Sequence, residues 1–187
     1  MESLPRNFHL QYSKEAIGAQ VERLGEDIGQ WADKIWQDTG KDILAIPVLR
    51  GGIFFFADLV RQIKTSVAIS PAQSWAYTPE ENGVMLEKVG VKIDQEHARG
   101  RSILLVDDIC DSGETLKALT ASFLAAGAVE VRAAVLIRRK LEKQSFDPHW
   151  SGFEYAGPEW FVGYGMEDRE RWRNLPAIYT ISQTEQN

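Results

Sequence analysis

The sequence predicts a single α/β domain in which helices flank a mostly parallel sheet. Two observations lead to this fold class. The chain has 187 residues, of which 44% are hydrophobic, and this is enough for one substantial core. Short apolar runs also alternate with helical stretches, and strands that alternate with helices imply right-handed crossovers and parallel pairing. Because ligands bind beyond the carboxyl ends of such strands, we expect the turns after the strands to hold the functional residues.

The first predicted element is an amphipathic helix over residues 13–40. Ser13 is suited to cap its amino terminus, and Gly40 marks its end. Its apolar residues recur at spacings of three and four, which is typical of one buried helical face. They are Ile17, Val21, Leu24, Ile28, Trp31 and Ile35.

Two strand–turn–helix units follow. In the first, the apolar run 43–49 leads through Gly51 and Gly52 into a helical stretch over 53–63. In the second, a short strand over 103–106 leads through an acidic turn into a helix over 116–126, which Gly127 ends. Residues 129–137 then return as a strand, and a last strand is predicted over 177–181.

The segment 70–100 separates the two units and carries Pro71, Pro79, Gly83 and Gly90 among mixed charges. We interpret it as a long loop or hairpin. Connections of this length are uncommon in compact domains and often act as lids. A solvated irregular connection is an equally good interpretation of the same composition.

Composition and charge exclude several classes of protein. The net charge is −6, so we expect no general attraction to nucleic acid or to anionic membranes. The single cysteine, Cys110, cannot form an internal disulfide, and the apolar runs are too short to span a bilayer. Residues 1–10 also lack the apolar core of a secretion signal. We therefore expect a cytoplasmic protein.

The acidic turn carries the clearest chemical signal. Asp107 and Asp108 follow the strand, Asp111 comes three residues later, and Ser112, Gly113, Glu114 and Thr115 open the next helix. Three neighbouring carboxylates repel one another, and a helix cap needs only one. The amino end of the helix suits a phosphate, while the carboxylates suit sugar hydroxyls or Mg²⁺. A solvated acidic turn with an ordinary cap is the alternative.

The same residues carry a resemblance to a known family. Residues 106–115 resemble the phosphoribosyl pyrophosphate (PRPP) signature of type I phosphoribosyltransferases. Residues 48–52 and 55–59 are similar to the pyrophosphate loop and the following helix of the hypoxanthine-guanine branch. Residues 160–165 and 173–176 also resemble segments of that branch. The resemblance spans residues 12–182. It implies the type I fold in one domain, 1–187, with a small base-binding hood that residues 150–187 form with a contribution from the amino terminus.

The resemblance also implies roles for the residues that bind PRPP. Asp107 and Asp108 would contact the ribose hydroxyls and the metal, and Asp111 would exchange a proton with N7 of the purine as the catalytic residue. The 5-phosphate would lie against the start of the helix, at Ser112, Gly113, Glu114 and Thr115. The pyrophosphate would meet Arg173 and the loop Leu49, Arg50 and Gly51, which in the family contains a cis peptide bond that does not involve proline.

At the base site the resemblance is less complete. Trp160 would stack on the purine, and Phe161 would supply backbone contacts. Arg138 stands where the family usually has a lysine that donates to the 6-oxo group, with Lys140 as the match under a shifted alignment. A merely solvated basic run over 138–140 is a further alternative. Glu167 replaces an aspartate that is typical near the base and the metal.

In the lid segment, Ser74 and Trp75 occupy the place of the family's Ser-Tyr pair. The function implied is purine salvage: hypoxanthine, and next guanine, would react with PRPP and Mg²⁺ to give the nucleoside monophosphate. A transferase for xanthine and a regulator that senses PRPP are the alternatives, and the acidic charge balance disfavours the regulator. The family also implies a homodimer or homotetramer.

Overall fold

The computed structural model describes residues 4–70, 72–77, 80–81, 84–85, 88–92 and 95–181, and for those between 72 and 95 it describes the backbone alone. The helices are α1 (Lys14–Thr39), α2 (Ile53–Val60), α3 (Gln95–Ala98) and α4 (Glu114–Ala125). The strands are β1 (Phe8–Tyr12), β2 (Ile43–Leu49), β3 (Val67–Ile69), β4 (Ala72–Tyr77), β5 (Glu80–Glu81), β6 (Val84–Met85), β7 (Lys88–Lys92), β8 (Ser102–Cys110), β9 (Glu130–Arg139), β10 (Trp150–Tyr155), β11 (Trp160–Val162) and β12 (Ile178–Ile181).

The main sheet has the strand order β10-β9-β8-β2-β4-β7, and β3 also pairs with β2. All of these pairings are parallel except that of β4 with β7. Helices α1 and α2 pack on one face of the sheet, and α4 packs on the other. One hydrophobic cluster lies on each face. The predicted fold class, a mostly parallel sheet flanked by helices, is confirmed.

A second, antiparallel sheet has the order β1-β12-β11. Strand β12 lies in the middle, so it joins an amino-terminal strand to the strand that begins with Trp160. This small sheet is the part of the fold that the sequence predicts as a hood.

The boundaries of several elements differ from the predicted ones. The helix over 13–40 is confirmed: the backbone N–H of Ala16 donates to Ser13 Oγ at 3.2 Å, and α1 ends just before Gly40. Strand β8 continues past Val106 to Cys110 because its backbone pairs with β9 as far as Cys110 and Arg138. The polar residues at this end are therefore part of the sheet, although their side chains do not show the apolar pattern of a strand.

Much of the segment over 70–100 is a hairpin, since β4 pairs with β7 in antiparallel register. Ser74 and Trp75 lie in β4 opposite Val91 and Gly90. Whether the hairpin acts as a lid stays a prediction. Among the described residues, no helix is long and apolar enough to cross a membrane.

Candidate active site

A cavity of about 360 Å³ lies at the carboxyl ends of β2 and β8, beneath the hood. Its volume is within the usual range for a small-molecule site. The lining residues come from the turn after β2, the acidic turn, the start of α4, the end of β9 and the hood. They include Leu49, Gly51, Asp107, Asp108, Asp111, Ser112, Gly113, Glu114, Thr115, Arg139, Trp160, Phe161, Glu167 and Arg173.

Asp107 and Asp108 form the floor of the cavity. The backbone N–H of Asp108 donates to Asp107 Oδ1, and that of Ile109 donates to Asp108 Oδ1, both at 3.0 Å. Burial, together with the charge of Asp108, raises the pKa of Asp107 well above its ordinary value. Burial also raises the pKa of Asp108. Hydrogen bonds to its carboxylate and the charge of Arg173 lower this pKa and so oppose part of the increase. Two desolvated, adjacent carboxyl groups are costly, so a cation or hydroxyl donors in the cavity would stabilise them.

Next to them, the amino terminus of α4 forms one wall of the cavity. Gly113 precedes the helix with a φ of +85°, and a Cβ at this position would lie 2.8 Å from Cβ of Phe146. The position therefore requires glycine. Ser145 braces the turn, since its N–H and its hydroxyl donate to the carbonyl of Ser112 at 2.9 and 2.7 Å. A helix amino terminus fixed in this way favours an anion such as a phosphate.

The glycine-containing turn after β2 packs directly against the acidic turn. The peptide between Leu49 and Arg50 is cis. A Cβ on Gly51 would lie 2.0 Å from Asp108 Oδ2, so no side chain fits between the two turns. The Arg50 guanidinium lies outside the cavity lining, where it pairs with Glu170 at 3.6 Å, and both side chains are exposed.

The hood side of the cavity is held by a network around Glu167. Arg173 donates to the carbonyl of Gly165 at 2.6 Å and lies 3.7 Å from Glu167 Oε1. The backbone N–H of Glu170 donates to Glu167 Oε2. Trp160 donates from its indole N–H to the carbonyl of Glu167 at 2.8 Å, yet the residue remains 53% exposed. An aromatic ring thus forms part of the cavity wall.

Phe161 also lines the cavity but is buried, and it meets Tyr155 edge to face, with 4.8 Å between the ring centroids.

The donor set on the floor is compatible with Mg²⁺. Carboxylate oxygens are hard ligands that this ion prefers, and it usually keeps substrate or water oxygens in its remaining positions. In the part of the chain that the structure describes, no three His, Cys, Asp or Glu side chains converge as a metal cage. Asp107 and Asp108 therefore fit an ion that is shared with a ligand, whereas Glu167 is already engaged by Arg173 and by the N–H of Glu170.

At the end of β9, the structure places Arg139, and not Arg138, on the cavity wall. Arg138 pairs instead with Asp147 at 3.0 Å and with Glu154 at 3.7 Å. Leu136 and Ile137 are adjacent but belong to the same hydrophobic cluster, so the alternation of side chains is interrupted just before the arginines. The sequence gives no signal of this change, because every residue over 133–137 is apolar.

Cys110 lies beside the acidic turn and is almost fully buried. Burial, the largest effect, raises the pKa of its thiol to about 11. A thiol with this pKa is protonated at neutral pH and is a poor nucleophile. Gln144 donates to its sulfur at 3.6 Å and to the carbonyl of Asp111 at 3.4 Å, and this supports the turn from behind.

Comparison with known proteins gives a consistent result. Residues 19–169 match the family described as "Phosphoribosyl transferase domain". The hypoxanthine-guanine phosphoribosyltransferase of Mycobacterium tuberculosis is 31% identical over 170 residues, which cover 89% of this chain and 82% of that protein. The hypoxanthine phosphoribosyltransferase of Escherichia coli is 26% identical over 161 residues, covering 86% and 89% of the two chains.

Solved structures agree with these sequence matches. A hypoxanthine-guanine phosphoribosyltransferase from Bacillus anthracis superposes with a TM-score of 0.73 at 27% identity, covering 93% of this chain and 97% of that one. A mutant hypoxanthine phosphoribosyltransferase from Trypanosoma cruzi, complexed with the product IMP, gives a TM-score of 0.81 at 20% identity and covers 97% and 94%, which supports the fold. This chain belongs to the phosphoribosyltransferase family.

Proposed function

We propose that this protein is a purine salvage enzyme that converts hypoxanthine, and guanine as a second base, to the nucleoside monophosphate. PRPP would be the other substrate and pyrophosphate the other product. One observation carries the proposal: a single cavity is lined by a helix amino terminus, a buried and a half-buried aspartate, and an exposed aromatic ring. These features suit the phosphate, the ribose and the base of one nucleotide, and relatives named for this activity match most of the chain.

At the phosphate end, the start of α4 would hold the 5-phosphate. The residues involved are Ser112, Gly113, Glu114 and Thr115, all of which line the cavity. Backbone N–H groups at a helix amino terminus can donate to such an anion without a lysine.

At the pyrophosphate end, Leu49 and Gly51 line the cavity beside Arg173. Arg50 would join them by leaving Glu170. The pair of Arg50 and Glu170 is exposed, and such surface pairs contribute only about 0–1 kcal/mol. A pyrophosphate with several negative charges would therefore displace Glu170 readily.

Asp107 and Asp108 would accept hydrogen bonds from the ribose hydroxyls and hold Mg²⁺. When bound, the ion would neutralise negative charge on the pyrophosphate leaving group. Glu167 is the third proposed metal residue, and it would have to exchange its contact with Arg173 for the ion or for a water on it.

At the base end, Trp160 would stack on the purine and the backbone of Phe161 would contact its edge. N9 of the base would form a bond to C1 of the ribose while the bond from C1 to the pyrophosphate oxygen breaks, and the electron pair would leave with pyrophosphate. Asp111 would take the proton from N7. The proposed contact of Arg138 with the 6-oxo group requires Arg138 to leave Asp147 and Glu154.

The hairpin of β4 and β7 would close over the reacting atoms, with Ser74 and Trp75 on its first strand. Exclusion of water protects a cation-like ribosyl centre from hydrolysis. The resemblance to the family further supports a homodimer or homotetramer in the cytoplasm, and light scattering after gel filtration would test the oligomeric state.

The function is tested by turnover with PRPP, Mg²⁺ and each of hypoxanthine, guanine, xanthine, adenine and uracil. We expect the fastest formation of nucleoside monophosphate with hypoxanthine. Absence of product with every base, despite measurable PRPP binding, would refute the enzymatic function and favour a sensor. A preference for xanthine would show that xanthine, and not hypoxanthine, is the substrate.

The role of Asp111 is tested by Asp111→Asn. The loss of a general acid or base typically lowers rates by about 10² to 10⁴. We expect a reduction of kcat in this range with unchanged thermal stability and PRPP binding. Wild-type turnover in the variant would remove Asp111 from the mechanism.

A further inference from the structure

Arg139 makes an unusual set of contacts at the edge of the cavity. Its Nε donates to Oδ1 of Asp111, one terminal nitrogen donates to the carbonyl of Gly157, and the other donates to the carbonyl of Glu159 at 3.1 Å. The guanidinium also lies over the ring of Phe161, 5.1 Å from its centroid. Every nitrogen of the guanidinium therefore has an acceptor within the chain.

These contacts connect two parts of the cavity that come from different elements. Asp111 belongs to the acidic turn after β8, whereas Glu159 immediately precedes Trp160 at the start of β11. Only 11% of the Arg139 side chain is exposed, compared with 53% of that of Asp111. The arginine is thus a buried, fixed cation, and the carboxylate it holds is open to the cavity.

We infer that Arg139 is a positioning residue that orients Asp111 toward N7 of the bound base and fixes its distance from Trp160. The inference rests on the proposed function. Because Arg139 occupies Oδ1, Oδ2 is the oxygen that would receive the proton. The guanidinium of Arg is a rigid, planar fork. The Arg139 side chain can therefore fix both the direction of the Asp111 carboxylate and the position of the Glu159 backbone, which precedes the ring of Trp160.

The alternative role for a cavity arginine is direct donation to the 6-oxo group of the base. The contacts argue against this role for Arg139, since a turn toward the base would leave the carbonyls of Gly157 and Glu159 without their donor. Both residues are half-buried, and a carbonyl shielded from water that loses its donor carries a free-energy cost. Arg139 therefore acts on the base through Asp111, and its removal should affect kcat more than the KM of PRPP.

The test is a double-mutant cycle with Arg139→Gln, Asp111→Asn and the combined variant. We expect Arg139→Gln alone to lower kcat with hypoxanthine by about tenfold or more, with the KM of PRPP within about twofold of wild type. In the Asp111→Asn background the same substitution should change kcat by less than about twofold, because the group it orients has already been lost. Arg139→Lys should recover part of kcat, since an ammonium can still reach one acceptor.

The matched control is Lys143→Gln, which removes a positive charge from the nearby exposed loop and should leave kcat unchanged. An equal fractional loss from Arg139→Gln in both backgrounds, or no loss in either, would overturn the inference. If circular dichroism shows that Arg139→Gln is unfolded, the same cycle with Arg139→Lys in its place tests the inference. A wild-type chain that shows no turnover refutes the proposed function, and this result is seen before any variant is compared.

Discussion

Substitution of Gly51 by alanine tests whether the contact between the two turns controls the ribose end of the cavity. The new Cβ would lie 2.0 Å from Oδ2 and 2.7 Å from Cγ of Asp108, where ordinary contacts begin at 3.4 Å. The carboxylate must therefore move by about 1.4 Å, and a displacement of about 1 Å at a reacting centre can cost about 10²-fold in rate.

The same movement disturbs the hydrogen bond from the N–H of Ile109 to Asp108 Oδ1. Hydrogen bonds to charged groups contribute about 1.5–3 kcal/mol. The movement also reduces the free-energy cost of keeping the Asp108 charge buried, and this offsets part of the lost stability. We therefore expect kcat/KM for PRPP to fall by about 10², while Tm falls by only a few degrees.

The assay is steady-state turnover with varied PRPP at saturating hypoxanthine, combined with thermal melting. Gly18→Ala is the matched control, since a Cβ at Gly18 meets nothing within 4 Å and the residue lies inside α1. This control should be as active as wild type and about 0.5–1 kcal/mol more stable. Unchanged PRPP kinetics in Gly51→Ala would refute the proposed role of Asp108 at the ribose.

Substitutions at two further positions address the base and the pH dependence of stability. Trp160→Ala should raise the KM of hypoxanthine by about one to two orders of magnitude, because stacking on an aromatic ring contributes about 1–3 kcal/mol per base. Trp160→Phe should retain most of this affinity, and an equal KM in wild type and Trp160→Ala would contradict stacking. His149 accepts a hydrogen bond from the N–H of Ala133 at 3.2 Å, and burial, with Arg132 nearby, lowers its pKa below 6.5. The unfolded chain therefore takes up the proton first as pH falls below about 6.5, so the free energy of unfolding should decrease there until the folded-state pKa is passed. Urea titrations between pH 5 and 8 should show a smaller decrease for His149→Asn, whose amide oxygen can accept the same bond without titrating; parallel curves would contradict this assignment.

The acidic residues and the helix start that line the cavity could be predicted to lie together because they are close in the chain. Asp107 and Asp108 lie at the end of β8, Asp111 follows in the turn after it, and α4 begins three residues later. The place of this turn follows from the alternation of strands and helices, since carboxyl ends of parallel strands share one edge. Gly51 could likewise be assigned to a tight turn, although its contact with Asp108 is visible only in three dimensions.

The proposed base end is harder to predict because it depends on side-chain direction and on distant segments. Whether Arg138 or Arg139 faces the cavity depends on an interruption of strand alternation that an unbroken apolar run conceals. The commitment of Glu167 to Arg173 and to the N–H of Glu170 depends on the path of the loop over 163–173. Spacing in the sequence describes neither of these features.

The central position of β12 in the small sheet has a consequence for biosynthesis. The strands that hold the acidic turn and the start of α4 are complete by residue 139, whereas β12 begins at Ile178. During translation, the part of the chain proposed to bind phosphate is thus synthesised before the central strand of the small sheet. Strand β1 is synthesised first, but it pairs with β12, whose residues are the last that the structure describes. A nascent chain arrested before Ile178 would lack the central strand of the small sheet, with which both β1 and β11 pair.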